Sequence, residues 1–145
     1  TVVLWFGIGG LTSYYGGKLG DKFTTKSVLF VSCLLLGGVT LFLYNENHSE
    51  FVYRLLATGV GVFGAAVVYT NLAGGHVKSL KRSMTGKGSG LFVTSVYGGA
   101  AIAGLCMGTL IENYGWAVAG QVQISGLCVV IAVLALFIRE NEFSK

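Results

Sequence analysis

Residues 17–26 read GKLGDKFTTK, and they separate two long apolar stretches of the chain. Lysines and a single aspartate supply the charge of this short segment. A short charged segment between two long apolar ones is typical of a loop at a membrane surface, since charges are expensive inside the bilayer. The segment therefore predicts the boundary between the first two membrane spans.

The composition also predicts an all-α integral membrane protein. Hydrophobic residues make up 53% of the 145 positions and charged residues 11%, with a mean hydropathy of +0.71. A soluble domain carries about 25% charged residues. The 23 glycines fit this class, because Gly lets membrane helices approach closely. The bases lie between apolar segments, so the net charge of +4 concerns membrane orientation and indicates no nucleic-acid partner.

Five apolar segments predict five transmembrane helices, with the lipid bilayer as their surroundings. A helix needs about 20 residues to cross a hydrocarbon core of about 30 Å, and the segments are too long for barrel strands. The first segment falls short of this length, which predicts that an upstream part is missing. The predicted spans are residues 1–16, 27–44, 51–77, 90–111 and 117–138.

Basic residues occur in alternate connections between these segments. Residues 18–26, residues 78–87 and the tail 139–145 hold every Lys and Arg except Arg54. The positive-inside rule places such connections in the cytoplasm. The pattern therefore predicts a multi-pass protein of the cell (inner or plasma) membrane whose C-terminus is cytoplasmic.

The stretch 17–26 resembles the loop signature of the major facilitator superfamily. Thr24 and Thr25 depart from it, standing where the family usually has Gly and Arg. The resemblance implies a secondary transporter whose two six-helix bundles each contain inverted three-helix repeats. The residues that fit the signature are Gly17, Leu19, Gly20, Asp21, Lys22, Phe23 and Lys26.

Residues 108–114 repeat the pattern of residues 17–23: Gly, any, Leu, any, acid, polar, aromatic. The two copies lie at opposite predicted sides of the membrane, as inverted repeats require. Five spans that start outside match a six-helix half without its first helix. Residues 86–116 resemble the eleventh helix of drug and small-solute exporters. The chain is therefore predicted to be helices 8–12, with the N-terminal bundle missing; helices 2–6 are the alternative.

The resemblance also implies a role for the loop as a latch at the cytoplasmic gate. The Asp21 carboxylate would interact with a neighbouring helix N-terminus or a base, and that interaction would break when the site opens inward. The alternative is a solvated turn whose charges only set topology. The predicted gate residues are Gly17, Leu19, Gly20, Asp21, Lys22 and Lys26.

Polar and aromatic side chains within three spans are candidates for lining a central substrate cavity. The alternative is hydrogen bonding between helices, which stabilises membrane bundles. Arg54 lies within a span, where a charge suggests a functional site that holds an anion or senses a proton-carrying acid. Its alternative is snorkelling to the nearby surface. The cavity candidates are Tyr14, Tyr15, Tyr69, Asn71, Thr94 and Tyr97.

Other chemistry is not indicated. Ala100, Gly104 and Gly108 recur every fourth residue and predict a face for helix packing. The three cysteines have no metal-ligand spacing, so no metal, cofactor or catalytic residue is predicted and the chain is not expected to be an enzyme. No Asp or Glu lies in the middle of a segment, so a carboxylate for proton coupling would belong to the missing part.

The sequence thus predicts a transporter that moves a small organic solute by alternating access, with proton-coupled efflux preferred. A membrane subunit that serves as an assembly scaffold is the alternative. An oligomeric channel would need a continuous polar stripe along a span, and the segments contain none.

Overall fold

A computed structural model describes residues 2–45 and 48–139, with the backbone alone for residues 2–7, 9, 63, 65 and 66. Parts of the predicted first span (Thr1), second connection (Glu46, Asn47) and tail (140–145) lie outside the described residues. Every regular element in the described part is helical. The helices are α1 (Val2–Lys22), α2 (Thr25–Leu43), α3 (Glu50–Val62), α4 (Thr70–Ser79), α5 (Thr85–Gly120) and α6 (Gly126–Ala135).

Short irregular helices join several of these elements. A π-helical turn, Phe63–Tyr69, connects α3 to α4, and a second one, Gln121–Ser125, connects α5 to α6. A 3₁₀ turn, Arg82–Met84, precedes α5. Among the described residues, three helical stretches are long and apolar enough to cross a membrane: Thr25–Leu43, Glu50–Ser79 and Arg82–Ala135. The all-α membrane class agrees with the prediction, and the count of five spans stays a prediction.

The longest of these stretches reverses direction at Gly115. Gly115 has φ 82° and ψ 170°, a backbone conformation that favours glycine. The Gln123 side-chain Nε2 donates a hydrogen bond to the Ala103 carbonyl at 2.8 Å. Twenty residues of unbroken helix extend about 30 Å, so this contact requires the chain to fold back on itself. The reversal falls within the predicted connection at residues 112–116.

The second arm of this hairpin packs along α2. Leu29, Cys33 and Leu36 of α2 share one buried core with the α6 residues Cys128, Ala132 and Ala135. At Gly37 a Cβ would lie 3.3 Å from Cys128 Cβ. The Ser125 hydroxyl donates to the Gly37 carbonyl at 3.1 Å. A small residue and a hydroxyl at the contact let the two backbones approach closely, as in other membrane helix pairs.

The α3–α4 stretch is the second neighbour of α2, and its Val68 reaches the same buried core. The α3–α4 stretch packs on α2 and on α1, and α4 also contacts the start of α5. In contrast, most residues of α5 between 89 and 116 are exposed. In the described part of the chain, the outer face of α5 therefore has no helix packed against it.

The turn predicted over residues 17–26 is shorter than expected. Helix α1 continues to Lys22 and α2 begins at Thr25, so only Phe23 and Thr24 form the connection. The prediction was wrong for residues 17–22 because a helix can extend beyond the apolar segment, and lysines near its C-terminus interact favourably with its dipole. Thr24 has φ −68° and ψ 139°, which any residue adopts, so Thr replaces the family's Gly without backbone strain.

Candidate functional site at the ends of α1 and α4

An ion pair joins the C-terminal ends of α1 and α4. The Lys78 Nζ lies 2.6 Å from Asp21 Oδ1, although the two residues are 57 positions apart. Both side chains remain partly exposed, at 46% for Lys78 and 68% for Asp21. Exposed pairs of this kind are typically worth only about 0–1 kcal/mol. Such a contact can break and re-form at low cost during a conformational change.

Deeper between the same two helices lies a buried amide. The Asn71 side chain is 5% exposed. Its Nδ2 donates to the Gly16 carbonyl of α1 at 3.0 Å and to the Val67 carbonyl of the preceding π-helical turn at 2.8 Å. Asn71 is one of the predicted cavity candidates, but its side chain lies between helices. The packing interpretation accounts for it, because a buried amide needs hydrogen-bond partners.

An aromatic cluster connects α4 to α5 nearby. The His76 ring stacks on Phe92 with centroids 5.1 Å apart, and its Nε2 is 2.9 Å from the Gly88 carbonyl. As the partner is a carbonyl oxygen, Nε2 must carry the proton. The ring of Tyr69, a cavity candidate, has its centroid 6.1 Å from that of Phe92, and the residue is half exposed.

The other cavity candidates are exposed on α1 and α5. Tyr14 and Tyr15 make an edge-to-face pair with centroids 5.6 Å apart, and Lys18 Nζ lies 4.8 Å from the Tyr14 ring centroid. On α5, Thr94 and Tyr97 are exposed. A role in a substrate cavity stays a prediction for these four residues, because the described part of the chain provides no opposite wall.

Arg54 is also exposed, and it pairs with Glu50 one turn earlier on α3. Pairs at i,i+4 on a helix surface contribute about 0.3–0.5 kcal/mol. This environment supports the snorkelling interpretation, because the guanidinium has a local partner and lies outside any buried site.

The predicted packing face on α5 contacts no described part of the chain. A Cβ on Gly104 or Gly108 would meet nothing within 4 Å, and Ala100 is exposed. Packing at this face stays a prediction, and it would require a partner other than the described residues.

Among residues 2–45 and 48–139, no group of three or more His, Cys, Asp or Glu side chains is arranged to hold a metal ion. The three cysteines are free, with Cys33 and Cys128 buried and Cys106 exposed.

Sequence reasoning missed several residues of this region, notably Lys78 and Phe92. A signal for Lys78 was present, since Asp21 is the sole acid in the two basic connections, 17–26 and 78–87. Because Asp21 belongs to the first basic connection, its carboxylate can pair with a basic residue of the second connection if the two lie side by side. No comparable signal identified Phe92, because its position resembles that of any other apolar residue in a span.

The fold and this site define an integral membrane protein made of packed helices. The model of the Major Facilitator Superfamily matches residues 1–145, and the chain belongs to this superfamily. This confirms the resemblance first seen at residues 17–26. The match covers the reversal at Gly115 as well as the ends of α1 and α4.

One curated relative is the protein named "Uncharacterized MFS-type transporter YvkA" from Bacillus subtilis (strain 168). It is 26% identical to the chain over 104 residues, which are 71% of this chain and 23% of the relative. The chain therefore spans about a quarter of that protein's length. No solved structure matches the chain.

Proposed function

We propose that the chain is part of one helical bundle of a secondary transporter that moves a small organic solute by alternating access. The observation that carries this proposal is the superfamily match over residues 1–145. The relative's printed name, an MFS-type transporter, supports the same class. A transporter of this kind rocks two bundles about a site between them, so the remaining bundle is the expected partner of this chain.

Within this proposal, the Asp21–Lys78 pair acts at the cytoplasmic end. It ties α1 to α4 inside one bundle, and it thereby sets the shape of the surface on which the other bundle closes. The pair loosens when the bundle opens inward. Its exposure and its short distance support a contact that is made in one state and lost at small cost in the other.

Efflux coupled to protons is the preferred direction and energy source. It is supported by the resemblance of residues 86–116 to a helix of exporters. No acid lies in the middle of any predicted span, so the carboxylate that carries the proton would belong to the rest of the transporter. Transport by this route requires no enzymatic step and no cofactor.

The test uses the full-length protein in proteoliposomes with an imposed proton gradient. We expect Asp21→Asn and Lys78→Met each to change the transport rate of a fluorescent organic substrate by about two- to fivefold, as breaking a pair worth 0–1 kcal/mol allows. The exchange Asp21→Lys with Lys78→Asp should restore the rate.

The control is the Glu50–Arg54 pair at the start of α3. Glu50→Gln and Arg54→Gln remove an ion pair that is more exposed and lies within one helix, and they should leave the rate unchanged. Absence of substrate flux over a broad panel of organic solutes would favour the scaffold interpretation, and equal effects of the two pairs would contradict a gate at Asp21.

A further inference from the structure

Gly20 and Asn71 fit together so closely that each restricts the other. A Cβ built on Gly20 would lie 1.8 Å from Asn71 Oδ1 and 3.0 Å from its Cγ. The carboxamide oxygen of Asn71 thus occupies the place that a side chain at residue 20 would need. Since real Cβ atoms do not come so close to an oxygen, a larger residue at position 20 must displace the amide.

The amide has little freedom to move away. It is buried, and its Nδ2 donates hydrogen bonds to the Gly16 and Val67 carbonyls at 3.0 and 2.8 Å. Loss of these bonds would leave buried polar groups without partners, which is costly in an apolar environment. Asn71 therefore fixes the position of α1 along α4.

Another glycine of the same loop signature behaves differently. A Cβ on Gly17, one turn earlier on α1, would lie 3.7 Å from Thr70 Cγ2, which is an ordinary contact. Gly17 and Gly20 therefore offer a matched pair: the same helix, the same residue type and the same neighbouring helix, with a severe overlap at one position only.

The position of α1 along α4 also determines whether Asp21 can reach Lys78. Lys78 follows Asn71 by seven residues, so the two lie on one face of α4 about 10 Å apart. Asp21 is adjacent to Gly20 on α1. A slip of α1 by one residue would move the Asp21 carboxylate by about 1.5 Å and turn it by about 100°, away from Lys78.

We propose that Asn71 is the positioning residue of the Asp21–Lys78 pair, and that position 20 is a glycine because the Asn71 amide fills the space of its side chain. This inference rests on the proposed function of the pair as a contact at the gate. It assigns to the loop signature a second role, in packing, that involves a residue far outside the signature.

The first experiment compares thermal unfolding of full-length variants in detergent, which requires no transport. Gly20→Ala should lower the midpoint temperature clearly, and Gly17→Ala should not, although both gain the same helix propensity. Adding Asn71→Ala to Gly20→Ala should recover part of the loss, because the overlap is removed. Equal effects of the two glycine variants, or additive effects of Gly20→Ala and Asn71→Ala, would overturn the fit between these residues.

The second experiment asks whether Asn71 positions the pair. In the Asn71→Ala protein, Asp21→Asn should have less than about half of its effect on transport rate in the parent protein, and the charge exchange at 21 and 78 should no longer restore the rate. A role in stability alone would leave both effects unchanged, and that result would overturn the positioning role.

Failure of the proposed function gives a separate result. If Gly20 and Asn71 are coupled in unfolding but Asp21→Asn leaves the transport rate of the parent protein unchanged, the positioning role is overturned together with the gate, while the fit of Asn71 on Gly20 stands. If the pair controls the rate but the coupling is absent, the gate stands and this inference fails.

Discussion

The ring of Tyr44 lies where a side chain at residue 120 would have to go: a Cβ on Gly120 would be 2.3 Å from Tyr44 Cζ. Tyr44 follows the last residue of α2, and Gly120 lies in the arm that returns after the reversal at Gly115. This contact holds the end of one helix against the start of its antiparallel neighbour. Tyr44 also lines a pocket of about 350 Å³, and Tyr53 and Trp116 are among its other lining residues.

We expect Gly120→Ala to destabilise the bundle by about 1–3 kcal/mol, because the ring must leave its place to admit the methyl group. Unfolding of the full-length protein in detergent measures this loss. Gly126→Ala is the control, since a Cβ there meets nothing within 4 Å. Equal stability of the two variants would contradict the close contact at Tyr44.

Replacement of Arg54 should have only a small effect on stability and transport. Its guanidinium is exposed and pairs with Glu50 of the same helix, so Arg54→Gln should cost at most about 0.5 kcal/mol of stability. The transport rate and the apparent affinity for substrate should stay near those of the parent protein. Loss of affinity for an anionic substrate alone would instead show that Arg54 binds it.

The hydrogen bonding of Gln123 predicts that an apolar substitution there is less destabilising than a charged one. Its Nε2 is bonded to the Ala103 carbonyl, but its Oε1 is buried and has no hydrogen-bond partner among the described residues. Gln123→Met removes the unpaired oxygen together with the bond, so its net cost should be below about 1 kcal/mol.

Gln123→Glu places a buried carboxylate at the same site and should be far more destabilising. Unfolding in detergent at neutral pH distinguishes the two variants, and Gln121→Met, at a more peripheral bond to the Leu41 carbonyl, is the control. Similar stability of Gln123→Met and Gln123→Glu would indicate that water reaches the site.

The small-residue face of α5 can be tested by adding bulk. Gly104 and Gly98 both have open space around them. They lie on different sides of α5, because six residues along a helix rotate by about 600°, which is about 240° beyond one full turn. We expect Gly104→Leu to reduce transport by the full-length protein, and Gly98→Leu to preserve it. Equal transport by both variants would show that no bundle packs on this face.

The helical class and the position of the reversal could be predicted from the sequence, because both follow from segment length and charge. The break between the fourth and fifth segments falls where polar residues and Gly115 interrupt two apolar runs. The end of α1 could not be predicted in this way, since hydropathy gives the length of the apolar segment but not the length of the helix that contains it.

The orientation of polar residues within spans also escaped prediction. Asn71 and Tyr97 look alike as candidates in the sequence, yet Asn71 is buried against α1 and Tyr97 is 73% exposed. The difference depends on which neighbouring helix approaches and how closely. The absence of a side chain at Gly20 lets α1 approach Asn71 closely. The residue pattern of a single segment does not reveal such a contact between two segments.

The reversal at Gly115 decides which helix ends lie side by side. Because the chain folds back there, Ala135 of α6 reaches the same buried core as Leu29, near the beginning of α2. A β-branched residue at position 115 would oppose the positive φ and favour one uninterrupted rod through residues 85–135. In such a rod, residues 116–135 would extend about 30 Å beyond position 115 and could not fold back toward Ala103. One backbone torsion thus fixes the antiparallel pairing of the two arms of the hairpin.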